Sequence, residues 1–448
     1  MEVMIMMKKT MTILLAGILA CSVTACGNAA KINLASDSNN VQQKSVGINK
    51  GITSENDISE NDASEKNTTI GNTSEDTTSQ SSSNDSSDHK TSEPGETSDL
   101  FTERDLDQSP DLSSAKTIVV ADGETIDITE EGIYVIQGTA TDCFIRVEAE
   151  EQSKVQLVLD GVNITNSDHS AIYVVSADKC FITTTNSNNI LSVTGEFAGD
   201  DTTGDAVIYS KDDLVLNGTG TLTINSSKGN GISGKDDLKI TGGTYVITSA
   251  KDSIETNDSI AVYDGNFTIK TSKDGFHSEY SDDDTVGWIY IGGGTFDLTA
   301  ASDAIQATTM AKIDGGTFDI TAAEGIEATY IEVNDGTINI TASDDGINAA
   351  QKSKSYSTPT VEINGGMLTI IMGQGDTDAI DANGNIIVNG GTIDITAQMS
   401  SFDYDGTAQY NGGTIIINGT QVDSIPQPAM GGRGGMGGMN GGDFGRRR

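Results

Sequence analysis

One short phrase returns again and again along this chain, and it limits the fold more than any other feature. Half of it is a glycine turn followed by a strand: Thr241-Gly242-Gly243-Thr244-Tyr245, Gly293-Gly294-Thr295-Phe296, Asp314-Gly315-Gly316-Thr317-Phe318, Asn334-Asp335-Gly336-Thr337-Ile338, Asn389-Gly390-Gly391-Thr392-Ile393 and Asn411-Gly412-Gly413-Thr414-Ile415. The other half is an acid, a small residue and an apolar residue. It reads Asp205-Ala206-Val207, Asp252-Ser253-Ile254, Asp274-Gly275-Phe276, Asp303-Ala304-Ile305, Glu324-Gly325-Ile326, Asp345-Gly346-Ile347 and Asp378-Ala379-Ile380, with Asn230-Gly231-Ile232 as a variant. The spacing is mostly 21 to 29 residues, longer near residues 200 and 355. Each unit has room for two or three short strands and none for a crossover helix. A single unit cannot bury its own apolar face, but units stacked at the β spacing of about 4.8 Å can. The pattern predicts an all-β, single-stranded parallel β-helix over residues 116–425, on the order of 12 turns at roughly 25 residues each.

Composition agrees. Aromatics are 5% of the chain, and 51 glycines stand against 5 prolines. That balance suits short strands joined by glycine turns and argues against a helical globule. Strand alternation assigns the faces. In Thr295-Phe296-Asp297-Leu298-Thr299, Phe296 and Leu298 point inward, so Tyr245, Phe267, Phe296 and Phe318 should form an interior aromatic ladder. Trp288, the only tryptophan, sits beside the insertion 281–287. It is the best candidate for an exposed sugar contact, with core packing as the alternative.

The ends differ. Lys8 and Lys9 precede the short apolar run 11–20, and Val23-Thr24-Ala25-Cys26-Gly27 resembles the lipobox of bacterial lipoproteins. Residues 1–26 are therefore expected to be a lipoprotein signal, with Cys26 the lipid anchor and Cys21 a weaker alternative. The protein would then sit lipid-anchored at the cell surface. Residues 27–115 are rich in Ser, Thr, Asn and acids, with few large apolar residues, and read as a disordered tether. Residues 426–448 are rich in Gly, Met and Arg and read as a flexible basic tail. The folded part retains Cys143 and Cys180. Export permits a disulfide between them; two buried thiols in a strand stack is the other reading.

The formal net charge is −40. Nucleic acid is excluded as a partner, and so is direct docking on anionic lipid. What remains is a well-solvated surface or a chain that collects divalent cations. In a solenoid, equivalent positions form columns. The leading acids Asp252, Asp274, Asp303, Glu324, Asp345 and Asp378 should make one. The positions three residues on, Glu255, His277, Gln306, Glu327, Asn348 and Asp381, should make a second. Glu279, Asp344 and Asp376 lie nearby. Carboxylates about 4.8 Å apart repel by roughly 3–4 kcal/mol at an effective dielectric of 20. Protonation, interposed lysines or a cation could relieve this, and outside the cell the natural hard cation is Ca²⁺. Acids capping backbone amides at a bend would need no metal. Lys251 or Lys273, beside such ligands, is the candidate base if the chain were a uronate lyase. Charge relief is the plainer role for these lysines. His169 and His277 look isolated.

Taken together, these residues resemble a family of bacterial carbohydrate-binding lipoproteins with a right-handed parallel β-helix similar to polysaccharide lyases. The resemblance spans residues 117–425. It is carried by Val155-Gln156-Leu157-Val158-Leu159-Asp160-Gly161-Val162 with Ala171-Ile172-Tyr173, by Ser210-Lys211-Asp212-Asp213-Leu214 echoed in Gly234-Lys235-Asp236-Asp237-Leu238, and by the repeated turns. It implies binding to cellulose and acidic polysaccharides such as pectin, with calcium held at the acid columns and no established lyase turnover; the chain is expected to be a monomer. Glu324, Asn230 and Gln306 depart from the pattern. A structural adhesin without sugar specificity is a third reading.

Overall fold

The computed structural model describes residues 94–95, 97–198, 204–375 and 377–427, all within the second of two compact units, residues 83–448. Cys26, the leader and the C-terminal tail lie outside the described residues, as does Asp376. The repeat becomes three short strands per rung. One rung runs Trp288–Ile291, Thr295–Thr299 and Asp303–Ala307; the next begins at Met310–Ile313. Each strand pairs in parallel with its counterparts one rung before and after, at the same position in the repeat. The third strands form a 12-stranded sheet from Thr125–Ile128 to Ser400–Tyr404. The first and second strands form two further ladders within a 24-stranded sheet. At the far end, Thr420–Val422 folds back antiparallel on Thr414–Ile417 and closes that edge.

The predicted face assignment holds. Phe296 and Leu298 are buried, while Thr295, Asp297 and Thr299 are exposed. The interior ladder is a true stack: Tyr245 and Phe267 are 5.2 Å apart at 18°, Phe267 and Phe296 4.8 Å at 4°, Phe296 and Phe318 4.4 Å at 4°. Register sets this geometry, because in-register parallel pairing places each ring over its equivalent.

The turns obey the same logic. Asn334 donates to Asp314 Oδ1 at 2.7 Å, Asn364 to Asn334 at 2.8 Å, Asn389 to Asn364 and Asn411 to Asn389, both at 2.7 Å. An amide that both donates and accepts can continue such a ladder without limit, which is why Asn recurs before the glycines. Gly294 has φ of 115°, and a Cβ there would lie 2.7 Å from the Gly265 carbonyl oxygen. In the acid turn, a Cβ at Gly325 would lie 2.3 Å from the Gly346 oxygen, so the middle residue must be small.

One expectation changes and two open choices are decided. The tether does not extend to residue 115. Residues 97–115 include a helical turn, Thr97–Leu100, and lie along the outer face of the first-strand ladder with Leu100, Phe101 and Asp105 buried. Trp288 is 7% exposed and packs with Leu100, Phe101, Tyr290 and Met310, so it is not an open sugar contact. The covering apolar side chains arrive from nearly 200 positions upstream. Cys143 and Cys180 are both buried and unpaired, held in the core rather than in a disulfide.

Replacing one ring of the stack leaves a void that neighbouring rungs cannot close. Phe296→Ala should cost about 3–5 kcal/mol, seen as a lowered denaturant midpoint with the strand circular-dichroism signal retained in water.

Candidate functional site

The acid column lies on the 12-stranded sheet, where each rung enters its third strand. Register confirms both files: Asp303 pairs with Glu324, and Asp345 with Asp378. The second file runs Glu255, His277, Gln306, Glu327, Asn348, Asp381 and on to Asp403.

Asp252 and Asp274 each do two jobs, one per oxygen. Asn230 Oδ1 accepts the Asp252 N–H, Asp252 Oδ1 the Asp274 N–H, and Asp274 Oδ1 the Asp303 N–H, each at 3.0 Å. Asp345 Oδ1 accepts from Asp378 at 3.2 Å. These oxygens satisfy backbone donors that the bend would otherwise orphan. The second oxygens face charge. Lys273 Nζ is 2.8 Å from Asp252 Oδ2 and 3.6 Å from Asp274 Oδ2. His277 Nδ1 is 3.6 and 3.5 Å from the same two atoms, and its Nε2 is 3.3 Å from Glu279.

This end of the column therefore carries its own counterions. Burial opposes ionisation of Asp252, but hydrogen bonds and charge from His277 and Lys273 outweigh it and hold the carboxyl at about 2. Burial likewise opposes the imidazolium of His277, yet Asp252, Glu279 and Asp274 raise it to about 9. The hydrogen bond from His277 lowers Glu279. His277 was not isolated after all; its partners are Asp252 of the preceding rung and, in its own rung, Asp274 three residues before and Glu279 two residues on. Lys273 is raised too, since its contact with Asp252 and the fields of Asp252, Asp274 and Glu255 overcome its burial. A lysine held charged is the opposite of a general base. Lys251 is exposed and forms no ion pair among the described residues.

The next rungs are different. Carboxylate oxygens of Asp303, Glu324 and Glu327 lie within 4.8 Å of one another. Burial, then the charges of Glu324, Asp274 and Glu327, push Asp303 up to about 8. Glu324 is raised chiefly by burial. Asn348 Nδ2 donates to Glu324 Oε2 at 3.0 Å, while its buried Oδ1 has no hydrogen-bond partner among the described residues. Lys352, from the 350–359 insertion, reaches Glu327 at 2.7 Å. Further along, burial and neighbouring acids push Asp345 and Asp381 up to about 7, and Asp344 is one of the exposed charges acting on Asp345. At the other end, Glu255 is half-buried and raised chiefly by desolvation, accepting from Asn230 at 2.7 Å. Lys352 escaped the sequence reading, since it lies outside the repeated acid phrase; Asn348 was placed in the second file, but its unpartnered oxygen shows only in the structure.

The donor set suits a hard cation: carboxylate oxygens, an amide oxygen without a partner, no thiolate. A second acidic cluster, Asp213, Asp236 and Asp237, forms where the repeated Lys-Asp-Asp corners stack, and burial with Asp213 nearby pushes Asp236 up to about 8. Arg146 belongs to the second file, four rungs or about 19 Å before Glu255, and is tied to Asp127 and Glu148.

The model of the carbohydrate-binding domain-containing protein family matches residues 122–377 and 327–424. The chain belongs to that family. A carbohydrate-binding domain-containing protein of Acetivibrio thermocellus is 40% identical over 193 residues, which is 42% of this chain and 68% of that protein. A solved structure, the gadolinium derivative of a polysaccharide lyase-like protein from C. thermocellum, is 31% identical with a TM-score of 0.45, covering 50% of this chain and 96% of that one.

The shifts fix how stability should vary with pH. Asp303, Asp345 and Asp381 have folded values above their unfolded ones, so their contribution is complete below about pH 4 and is lost as pH rises through 7–8. His277 adds stability that is present below its unfolded value and lost through about 9. In chelator, the melting temperature should fall steadily from pH 5 to 9.5, and millimolar Ca²⁺ should flatten the fall. A chelated protein whose melting temperature rises over that range contradicts these assignments.

Proposed function

We propose that this is a surface-displayed, non-catalytic polysaccharide-binding protein in which Ca²⁺ at the acid column helps to hold acidic glycan. Its parts are a lipoprotein leader with Cys26 as anchor, a tether ending before residue 97, a right-handed β-helix of about 12 turns, and a basic tail. The observation that carries the calcium part is the convergence of Asp303, Glu324 and Glu327 beside the unpartnered Asn348 oxygen. Those residues would hold the ion, with Asp345, Asp378 and Asp381 as a second set. When bound, the ion supplies positive charge and open coordination positions to a uronate carboxylate. The protein's own groups would exclude water and orient the ligand along the sheet. Without such a bridge, a chain of this charge and a polyuronate repel.

The lyase reading with Lys251 or Lys273 as base has less support. Lys273 is locked in ion pairs, and Arg146 is spent on Asp127 and Glu148. An adhesin without sugar specificity does not draw on family membership at all.

Polygalacturonate beads should retain the protein in millimolar Ca²⁺ and release it in excess chelator, with no ultraviolet-absorbing unsaturated uronide in either fraction. Retention indifferent to chelator would remove the calcium bridge, and unsaturated product would promote the lyase.

A further inference from the structure

Residues 97–108 do not belong to any rung. They lie along the solenoid as a strap of helical and tight turns, crossing the outer faces of successive first strands. Thr97 Oγ1 meets the Tyr290 hydroxyl at 2.7 Å. Phe101 packs edge-on to Tyr263 at 5.5 Å and tilted to Tyr290 at 6.4 Å. Arg104 lies 4.6 Å above the Phe181 ring. Gln108 accepts from the Gly218 N–H at 2.7 Å and donates to the Thr241 carbonyl at 3.2 Å.

At the centre of the strap is Asp105, fully buried. Its main-chain carbonyl accepts from Asn217 and Thr241. Its carboxylate stands between two lysines of the solenoid face, Oδ1 3.8 Å from Lys179 Nζ and Oδ2 3.9 Å from Lys239 Nζ. Both distances exceed hydrogen-bond range, and Oδ1 has no hydrogen-bond partner among the described residues. Oδ2 is held within the strap by the Thr102 N–H at 2.9 Å, and Lys179 also lies 3.4 Å from Asp213, so the carboxylate meets the solenoid face through charge and not through hydrogen bonds. The surface it covers is unusual for this protein: two lysines and a row of aromatic rings, in a chain of net charge −40.

Resting on the carbohydrate-binding reading above, we propose that the face under the strap is a second glycan surface, for a uronate-bearing chain bound without calcium, and that the strap is its intramolecular occupant. Rings give sugar rings a flat apolar surface, and lysines give a carboxylate its counter-charge. Phe101 stands where a sugar ring would stack on Tyr263 and Tyr290, and the Asp105 carboxylate where a uronate would meet Lys179 and Lys239. A linear glycan would follow the path the strap now takes. The face is distinct from the acid column, which lies on the 12-stranded sheet.

Trp288, the only tryptophan, packs against the strap residues Leu100 and Phe101, so its fluorescence reports strap displacement. The full-length chain is compared with Leu100→Ala/Phe101→Ala and with Asp105→Asn, all in excess chelator to silence the calcium route. Circular dichroism checks that the solenoid persists. Both variants should show red-shifted Trp288 emission and at least tenfold tighter binding to oligogalacturonate than the parent, with no gain for neutral cello-oligosaccharide. Adding Lys179→Gln and Lys239→Gln should abolish the gain. Red-shifted emission without tighter binding overturns the proposal, as does a gain that survives loss of both lysines. If the double variant does not fold, the near-isosteric Asp105→Asn decides alone, and unchanged affinity in it counts against the proposal. Calcium-dependent retention of the parent on polygalacturonate reads the acid column separately, so either idea can fail without the other.

Discussion

In-register parallel stacking is the interaction on which the rest depends. It sets each residue over its equivalent in the neighbouring rung, about 4.8 Å away. Like therefore meets like all along the molecule, and the sign of that meeting differs by chemistry. For rings it is favourable, as in Tyr245, Phe267, Phe296 and Phe318. For amides it is favourable and self-propagating, as from Asp314 to Asn411. For carboxylates it is unfavourable, and each rung must answer it.

The answers vary along one column. Asp252, Asp274 and Asp345 each first give an oxygen to the next rung's N–H, which explains why acids persist at those positions. Around Asp252 and Asp274, Lys273 and His277 then neutralise what is left. Around Asp303, Glu324 and Glu327, Lys352 reaches only Glu327, and burial forces Asp303 toward its protonated form. A cation gains most where the protein has compensated least, which favours Asp303, Glu324 and Glu327 over Asp252 and Asp274.

The solenoid was legible because its signal is periodic and local. Phe296 inward and Asp297 outward follow from one strand, and the two acid files from one spacing. Other features depended on distance. Residues 97–111 contain few large apolar residues, and nothing near them signals that Leu100 and Phe101 find a face across Trp288 and Tyr290. What covers Trp288 was hidden for the same reason. His277 looked isolated because Asp252 comes within reach only once rungs stack, joining the local acids Asp274 and Glu279. Lys352 comes from an insertion that breaks the period, so no column predicts it.

The most direct test is calorimetric titration of calcium into the wild-type chain, Glu324→Gln and Asp252→Asn. Both substitutions keep an oxygen acceptor and remove one charge. The account predicts at least tenfold weaker calcium binding in Glu324→Gln and little change in Asp252→Asn, whose charge Lys273 and His277 already offset. Loss of binding in Asp252→Asn with Glu324→Gln unaffected would contradict it.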